Sequence, residues 1–175
     1  MTKSGVILDV RDRIGFGAYA DLFRPSGEPL VYKLFISVRH ETNVRLGLTD
    51  PKDNDRRQQV FESECRAYEI AAREPSLHAH IPGSFRRCEI ADVRQAGESV
   101  AALYLTDCCY TIEYIDGIAQ KLGTVALLPH IAEAERAFHR AGIRHTSDAS
   151  VFLAEDPQPF KFIDFAVDEL PPPSW

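Results

Sequence analysis

Residues 30–36 read Leu-Val-Tyr-Lys-Leu-Phe-Ile, an apolar run that contains a single charge, Lys33. A short run of aliphatic and aromatic residues that follows a turn signal predicts a buried strand. A buried ammonium group is costly unless it meets an anion. The alternative, an edge-strand lysine that extends to water, is disfavoured by the apolar residues on both sides. We therefore expect Lys33 to lie in a core strand and to face an anionic partner.

The segments around this strand predict an α+β fold. Residues 38–54 are polar and turn-rich and predict a loop. The other expected elements are strands over 6–15 and 19–24, a turn over 25–29, a helix over 56–73, a hairpin of 85–93 with 100–105, a short strand over 110–115, a helix over 124–141 that stops at Gly142, and a hairpin of 151–153 with 160–163. Strands, a helix, further strands, a second helix and a hairpin in this order indicate an α+β class.

Composition limits the classes of partner. One domain of ordinary size accommodates 175 residues, of which 45% are hydrophobic. The net charge of −6 argues against nucleic acid or an anionic membrane surface as partner, because both require basic protein surface. No apolar run is long enough to span a bilayer, so we expect a soluble protein without a membrane span. The four cysteines lack metal-finger spacing and are expected to be reduced thiols.

A glycine-containing turn precedes the lysine strand. Residues 15–20 read Gly-Phe-Gly-Ala-Tyr-Ala, which resembles the G-x-G-x-x-G turn of protein kinases with Ala20 in place of the last glycine. Glycines let a backbone approach phosphate groups closely, and the alternative is an ordinary hairpin turn. The resemblance assigns nucleotide contacts to Gly15, Phe16, Gly17 and Ala18.

Two further motifs follow in the order expected of a protein kinase. Lys33 resembles the strand lysine that pairs with the α- and β-phosphates of ATP. Glu64, on the predicted helix, resembles the glutamate that holds this lysine, and Glu62 and Glu69 are the other candidates on the same helix.

Residues 112–117 (Ile-Glu-Tyr-Ile-Asp-Gly) resemble the kinase hinge. The resemblance places Ile112 at the gatekeeper position and implies that backbone groups of Glu113 and Ile115 bind the adenine edge. The alternative is a core strand that ends in an Asp-Gly turn.

The region after the second predicted helix resembles the kinase catalytic loop, His-x-Asp-x-x-x-x-Asn. His145 matches the histidine, but Ser147 occupies the aspartate position and Asp148 follows it. The loop is shorter than the pattern, and Ser150 replaces the metal-binding asparagine. We expect Asp148 to accept a hydrogen bond from a substrate hydroxyl, whereas a pseudokinase results if it cannot reach this position.

Residues 163–165 (Ile-Asp-Phe) resemble the Asp-Phe-Gly motif, with Ala166 for glycine. A carboxylate after an apolar strand is the hard oxygen ligand that Mg²⁺ prefers. The resemblance therefore predicts a metal site formed by Asp164 and Ser150. The alternative is an aspartate that ends a strand in a turn.

Together these motifs resemble the minimal bacterial protein-kinase-like family, which includes effectors delivered into host cells. The resemblance implies a single minimal kinase-like domain over 1–175, with a complete N-lobe over about 1–116 and a truncated C-lobe over about 117–175. It implies ATP and Mg²⁺ as cofactors and a protein hydroxyl, that of a host protein if the chain is an effector, as acceptor. The location is then the bacterial cytoplasm or the host cell. A pseudokinase binding scaffold and a small-molecule kinase of the same superfamily are the alternatives.

Overall fold

A computed structural model describes residues 5–121, 129–144, 150–153, 160–163 and 165. The chain divides into two compact units, one formed by Met1–Phe61 and Ser84–Tyr114 and the other by Glu62–Gly83 and Ile115–Trp175. Among the described residues, the first unit carries two sheets, of five and three strands, and the second carries one three-stranded sheet and a helix. The α+β class predicted from the sequence is confirmed.

A five-stranded sheet forms the centre of the first unit, with the order β2-β3-β4-β8-β5 and every neighbouring pair antiparallel. The strand predicted over residues 30–36 is confirmed with its bounds and is the middle strand of this sheet. The strands of the unit are β1 (Val6–Asp9), β2 (Arg13–Phe16), β3 (Ala20–Phe23), β4 (Leu30–Ile36), β5 (Arg86–Cys88), β6 (Ile90–Gln95), β7 (Glu98–Ser99) and β8 (Tyr104–Glu113).

Alternation along β4 explains why both faces of the sheet are covered. Tyr32, Leu34 and Ile36 point to one face, where they join a buried cluster completed by Leu8, Phe23, Ile90, Val93, Tyr104 and Cys109. Lys33 and Phe35 point to the other face. A strand that is apolar on both faces belongs at the centre of a sheet, as observed.

Three strand predictions of the first unit are corrected by the structure. The strand predicted over 6–15 is two strands separated by a 3₁₀ turn at Val10–Asp12, which the Asp9 carboxylate caps by accepting the Arg11 N–H. The hairpin predicted from 85–93 and 100–105 is shorter and shifted: β6 turns back into β7, with Arg94 opposite Ser99 and Gln95 opposite Glu98. β6 also pairs in parallel with β1, while β5 pairs with β8. The short strand predicted over 110–115 is the end of the ten-residue β8.

The loop predicted over 38–54 is also corrected. It contains the helix α1 (Glu41–Leu46) and the start of α2 (Lys52–Ala71), which runs from the first unit into the second. His40 caps α1 through Nδ1, which accepts the Thr42 N–H, and Gly47 ends it with φ +71°. The helix predicted over 56–73 is confirmed as part of α2.

The second unit contains an antiparallel sheet of β9 (Ile118–Lys121), β10 (Ser150–Leu153) and β11 (Lys161–Ile163) in the order β11-β10-β9. The predicted hairpin of β10 and β11 is confirmed. The helix α3 (Pro129–Arg140) falls within the range predicted for it. It ends as predicted at Gly142 (φ +80°), with the Gly142 N–H bonded to His139 O and the Ile143 N–H to Phe138 O, the Schellman pattern.

Aromatic packing forms the core of this unit. Phe138 on α3 contacts Phe162 on β11 with ring centroids 5.0 Å apart, and Ile131 and Ala134 are buried on the same helix. Across the described part of the chain, no helix has the length and apolar character required to cross a bilayer.

Candidate functional site

The glycine turn joins β2, an edge strand, to β3. The Gly17 N–H donates to Ala20 O at 2.8 Å, which closes a tight turn with Ala18 and Tyr19 at its tip. Phe16, the last residue of β2, is 79% exposed. The turn therefore presents backbone and two aromatic side chains, those of Phe16 and Tyr19, at the surface of the first unit.

Neither glycine of this turn is required by backbone conformation. Gly15 and Gly17 are not among the glycines with positive φ. A Cβ at position 15 would lie 3.3 Å from Leu22 Cδ1, a tight contact, whereas one at position 17 would lie 3.4 Å from Ala20 O. Glycine at these two positions therefore keeps side-chain atoms away from the turn. The close approach of this backbone to phosphate groups, which the sequence predicts, would require such a turn.

Arg57 of α2 contacts the tip of the turn and holds it in place, a role that the sequence did not reveal. Its side chain donates to Ala18 O at 3.1 Å and to Asn43 Oδ1 at 2.7 Å, and its guanidinium carbon lies 5.3 Å from the centre of the Tyr19 ring. Arg57 is only 3% exposed, and burial lowers its pKa. Among the described residues its Nε has no hydrogen-bond partner, so the hydrogen bonds of this buried cation go to two neutral oxygens.

Sequence could not have separated this residue from its neighbour. Arg56 and Arg57 are adjacent and chemically identical, but Arg56 is exposed and Arg57 is buried. The rotation of the helix, which only the packing of α2 fixes, decides which arginine faces the turn.

A second buried polar group lies at Asp21, just after the turn. Asp21 is 1% exposed, and its Oδ2 accepts hydrogen bonds from Arg13 at 3.1 Å and from the Tyr104 hydroxyl at 3.0 Å. His40 Nε2 lies 3.4 Å from the same oxygen. Because His40 Nδ1 accepts the Thr42 N–H, the neutral ring carries its proton on Nε2, facing Asp21.

The charge of Asp21 shifts the titration of its neighbours. Burial and the nearby Asp21 carboxylate raise the pKa of Tyr104. Burial lowers the pKa of Arg13, but the hydrogen bond that Arg13 donates to Asp21 and the negative charge of Asp21 outweigh burial, and the pKa is raised overall. The network therefore favours a protonated tyrosine and a charged arginine around one carboxylate whose Oδ1 has no partner among the described residues.

Lys33 lies among aromatic rings on the face of the sheet opposite the buried cluster. Its Nζ is 5.8 Å from the centre of the Phe35 ring and 5.9 Å from that of Tyr110. Phe61 of α2 packs against both rings, with centroids 5.5 Å from Phe35 and 6.5 Å from Tyr110. Such rings attract a cation and lower the local dielectric constant. The electrostatic attraction between Lys33 and an anion bound here is therefore stronger than it would be in water.

The register of β4 and β8 places the hinge-like segment beside Lys33. Lys33 pairs with Tyr110, and Val31 pairs with Ile112. Directly opposed residues share a face of the sheet, as do residues two apart on one strand. Ile112, which the resemblance places at the gatekeeper position, therefore lies on the face that carries Lys33.

The end of β8 is fixed by local contacts. The Tyr114 N–H donates to Pro29 O at 2.8 Å, and the Arg24 guanidinium carbon lies 3.4 Å from the centre of the Tyr114 ring. Glu113 is exposed at the strand end, and Ile115 begins the part of the second unit that follows. The two predicted adenine-binding positions thus flank a residue that is held on both its backbone and its ring.

In the second unit, Glu64 and Phe165 lie near one face of α2. Glu64 is 5% exposed, and Tyr68 follows it by one helical turn, on the same face. The Phe165 ring packs edge-on against Tyr68 with centroids 4.8 Å apart, and also contacts Phe138 at 5.4 Å. Phe165 therefore packs on the helix that carries the predicted glutamate.

The predicted metal ligands fall only partly within the described residues. Ser150 opens β10 and pairs with Ile163, the residue that precedes Asp164. Asp164, His145 and Asp148 lie outside the described residues. Where placement is described, no group of three or more His, Cys, Asp or Glu side chains is arranged to hold a metal ion.

The described residues among those predicted divide between the two units. Gly15, Phe16, Gly17, Ala18, Lys33 and Glu113 belong to the first unit, whereas Glu64, Ile115 and Ser150 belong to the second. Comparison with protein-family models, with curated proteins and with solved structures gives no match. A functional interpretation therefore depends on the chemistry of the two units themselves.

Proposed function

We propose that this chain is a minimal protein-kinase-like phosphotransferase that transfers the γ-phosphoryl group of ATP to a protein hydroxyl. One observation carries the proposal: the glycine turn, Lys33 and Ile112 belong to one antiparallel sheet, with Lys33 and Ile112 on the same face. In protein kinases a glycine-rich loop covers the phosphates and the lysine lies on the third strand. Lys33 likewise lies on the third strand of this sheet in chain order, and the turn joins the first two.

The arrangement in the second unit supports the same proposal. Protein kinases pair the strand lysine with a helix glutamate and rely on the packing of the Asp-Phe-Gly phenylalanine. Glu64 is buried on α2, which in chain order comes between the third and fourth strands of the sheet. Phe165 packs on Tyr68, one helical turn after Glu64. We accordingly propose that residues 1–116 form a complete N-lobe and residues 117–175 a reduced C-lobe.

The donor chemistry fits Mg-ATP. Lys33 supplies a cation for phosphate oxygens, and the turn at Gly17 supplies backbone N–H groups where position 17 itself carries no side chain. A carboxylate at position 164 and a hydroxyl at position 150 are hard oxygen donors of the kind Mg²⁺ takes. When bound, Mg-ATP would supply the phosphoryl group and neutralise its charge.

The roles of the protein follow from this assignment. Glu64 would orient Lys33, backbone groups of Glu113 and Ile115 would bind the adenine edge, and Asp148 would accept the proton of the acceptor hydroxyl. His145 would support the loop that carries Asp148. Catalysis would then consist mainly of positioning and electrostatic stabilisation.

The binding half of the proposal is tested with a matched pair of lysine variants. We expect Mg-ATP to raise the Tm of the wild-type protein and of Lys52→Ala, whose side chain is exposed at the start of α2. Lys33→Ala should lose most of this rise, because a hydrogen bond to a charged group is worth about 1.5–3 kcal/mol. Equal nucleotide-dependent shifts in Lys33→Ala and Lys52→Ala would refute the assignment of Lys33.

The nature of the acceptor needs a separate assay. A protein kinase should label protein bands in bacterial or eukaryotic lysates, and the lysate that is labelled indicates whether the chain acts in the bacterium or in a host cell. Labelling of aminoglycosides or other small alcohols instead would identify a small-molecule kinase. Nucleotide binding without transfer to any acceptor would identify a pseudokinase scaffold.

A further inference from the structure

Two cysteines oppose each other across the edge of the five-stranded sheet. Cys88 is the last residue of β5, and its partner in the register is Cys109 of β8. Directly opposed residues of antiparallel strands project to the same face with Cβ atoms about 4.5–5.5 Å apart. A disulfide requires Cα atoms about 4.4–6.8 Å apart and Cβ atoms close to 4 Å, so a small adjustment of the edge strand is enough to join the two sulfurs.

The two thiols differ in accessibility. Cys109 is fully buried within the apolar cluster of the first unit, whereas Cys88 is half-buried and packs against that cluster from the sheet edge. All four cysteines are thiols in this structure. Cys108 is adjacent to Cys109 but projects to the opposite face of β8. The register therefore selects one pair.

The two thiols also interact chemically. A hydrogen bond with Cys109 lowers the pKa of the Cys88 thiol; burial opposes this shift, and the positive charge of Arg86 adds to it. The Cys109 thiol also lies 3.9 Å from Tyr110 O. The Cys109 thiol has one hydrogen to donate. Once Cys88 is a thiolate, this hydrogen is donated to the Cys88 sulfur in preference to Tyr110 O, because hydrogen bonds to a charged acceptor are stronger.

We propose that Cys88 and Cys109 form a redox-responsive disulfide pair, in which Cys88 reacts first with a peroxide and Cys109 resolves the product. The Cys88 thiolate attacks one peroxide oxygen, the O–O bond breaks, and a sulfenic acid and hydroxide form. The Cys109 sulfur then attacks the Cys88 sulfur, the S–O bond breaks, and water leaves. Two thiols lose two electrons and two protons, and one hydrogen peroxide is reduced to two waters.

This disulfide would join an edge strand to the strand that neighbours the lysine strand. Cys109 pairs with Leu34, the residue that follows Lys33. The link would close the chain between β5 and β8 and restrict the unfolded state. We therefore expect the oxidised protein to melt at a higher temperature than the reduced protein, independently of whether the chain transfers phosphate.

The test uses hydrogen peroxide on the folded Cys108→Ser variant. Trypsin cleaves after Arg87, Arg94 and Lys121, so in the wild type Cys88 lies in one peptide and Cys108 and Cys109 share another. Removing Cys108 makes the assignment unique. We expect a peptide linked through Cys88 and Cys109, a loss of two alkylatable thiols, and recovery of both after reduction with dithiothreitol.

Cys88→Ser in the same background is the matched control and should leave Cys109 alkylatable after unfolding. The proposal is overturned if folded Cys108→Ser protein, verified by a cooperative melt, carries sulfinic or sulfonic acid on Cys88 while Cys109 stays a thiol. Wild-type protein provides an independent reading, since the proposal requires its linked peptide to join Cys88 to the peptide that carries Cys108 and Cys109. A link between Cys65 and either of these two peptides would refute the pairing.

Discussion

At the scale of single residues, the first unit buries charges where burial is expensive. Asp21 is 1% exposed and Arg57 is 3% exposed, and Lys33 lies among aromatic rings on a central strand. Apolar residues often replace a buried ionic network without loss of stability. We infer that these charges serve positioning and specificity around the glycine turn, in addition to holding the sheet together.

Removing the Asp21 carboxylate should destabilise the first unit strongly. In Asp21→Ala the partners Arg13, His40 and Tyr104 lose their shared acceptor, and breaking a buried ionic network from one side costs about 3–5 kcal/mol. For a chain of this size the Tm should fall by about 2–4 °C per kcal/mol, as thermal melting can measure. Asp116→Ala, whose side chain is exposed after the end of β8, is the control and should melt close to wild type. Similar Tm values for both variants would show that the network contributes nothing.

Alkaline titration should reveal the buried Tyr32. Burial, together with its hydrogen bond to Glu28, raises the pKa of Tyr32 to about 12. A tyrosine whose pKa is raised by folding stabilises the native state below its unfolded pKa, near 10. This contribution is lost as pH rises from about 10 to 12, because the unfolded chain releases its proton first.

The measurement is the free energy of unfolding in urea between about pH 8 and pH 12. The wild type should lose about 2–3 kcal/mol from this residue over the alkaline range, and Tyr32→Phe should show a shallower decline. An unchanged slope in Tyr32→Phe would mean that the hydroxyl titrates normally.

At the scale of secondary-structure elements, local patterns predicted what local forces decide. The strand β4 was predicted with its bounds because a central strand is covered on both faces and therefore appears in the sequence as a continuous apolar run. The end of α3 was predicted because Gly142 takes a φ of +80° that other residues avoid. Where pairing between distant segments decides the sheet topology, the sequence was insufficient. The pattern of residues 85–105 does not indicate that β6 pairs in parallel with β1 or that β5 pairs with β8.

The helix α1 was missed for a different reason. It has only six residues, and its apolar members Val44 and Leu46 are both exposed, so it has no apolar face for a periodicity to reveal. Its cap is a histidine nitrogen, which is not among the usual capping groups. The same helix presents Asn43 to Arg57, so missing it also concealed the support of the glycine turn. The order of the site motifs was readable from sequence, but this support was not.

The contact between α2 and the turn should be sensitive to arginine geometry. Arg57→Lys keeps the charge but cannot donate to Ala18 O and Asn43 Oδ1 from one planar group. We expect amide exchange at Gly17 to accelerate several-fold and the affinity for Mg-ATP to fall, while Arg56→Lys, on the exposed side of the helix, behaves like wild type. Hydrogen exchange followed by mass spectrometry measures the first effect. If the Arg57→Lys turn exchanges as slowly as that of Arg56→Lys, the clamp does not hold the turn.

At the scale of the whole molecule, two units divide the predicted kinase motifs between them. The first carries the glycine turn and Lys33, and the second carries Glu64 and the segment that leads to Asp164. Neither unit contains a complete set of predicted catalytic groups. The proposed function requires groups of both units, so the assay that tests it uses protein that carries both.

The decisive measurement is transfer of labelled γ-phosphate from Mg-ATP to protein, with wild type, Asp164→Ala, Asp148→Ala and the control Asp55→Ala, whose side chain is exposed in the first turn of α2. Loss of the proposed metal ligand or of the proposed catalytic base should remove transfer, while the control keeps it. We predict a labelled band with wild type and Asp55→Ala that is absent with Asp164→Ala and Asp148→Ala. Undiminished labelling by Asp164→Ala, or no labelling by a wild type that folds and binds nucleotide, would contradict the account.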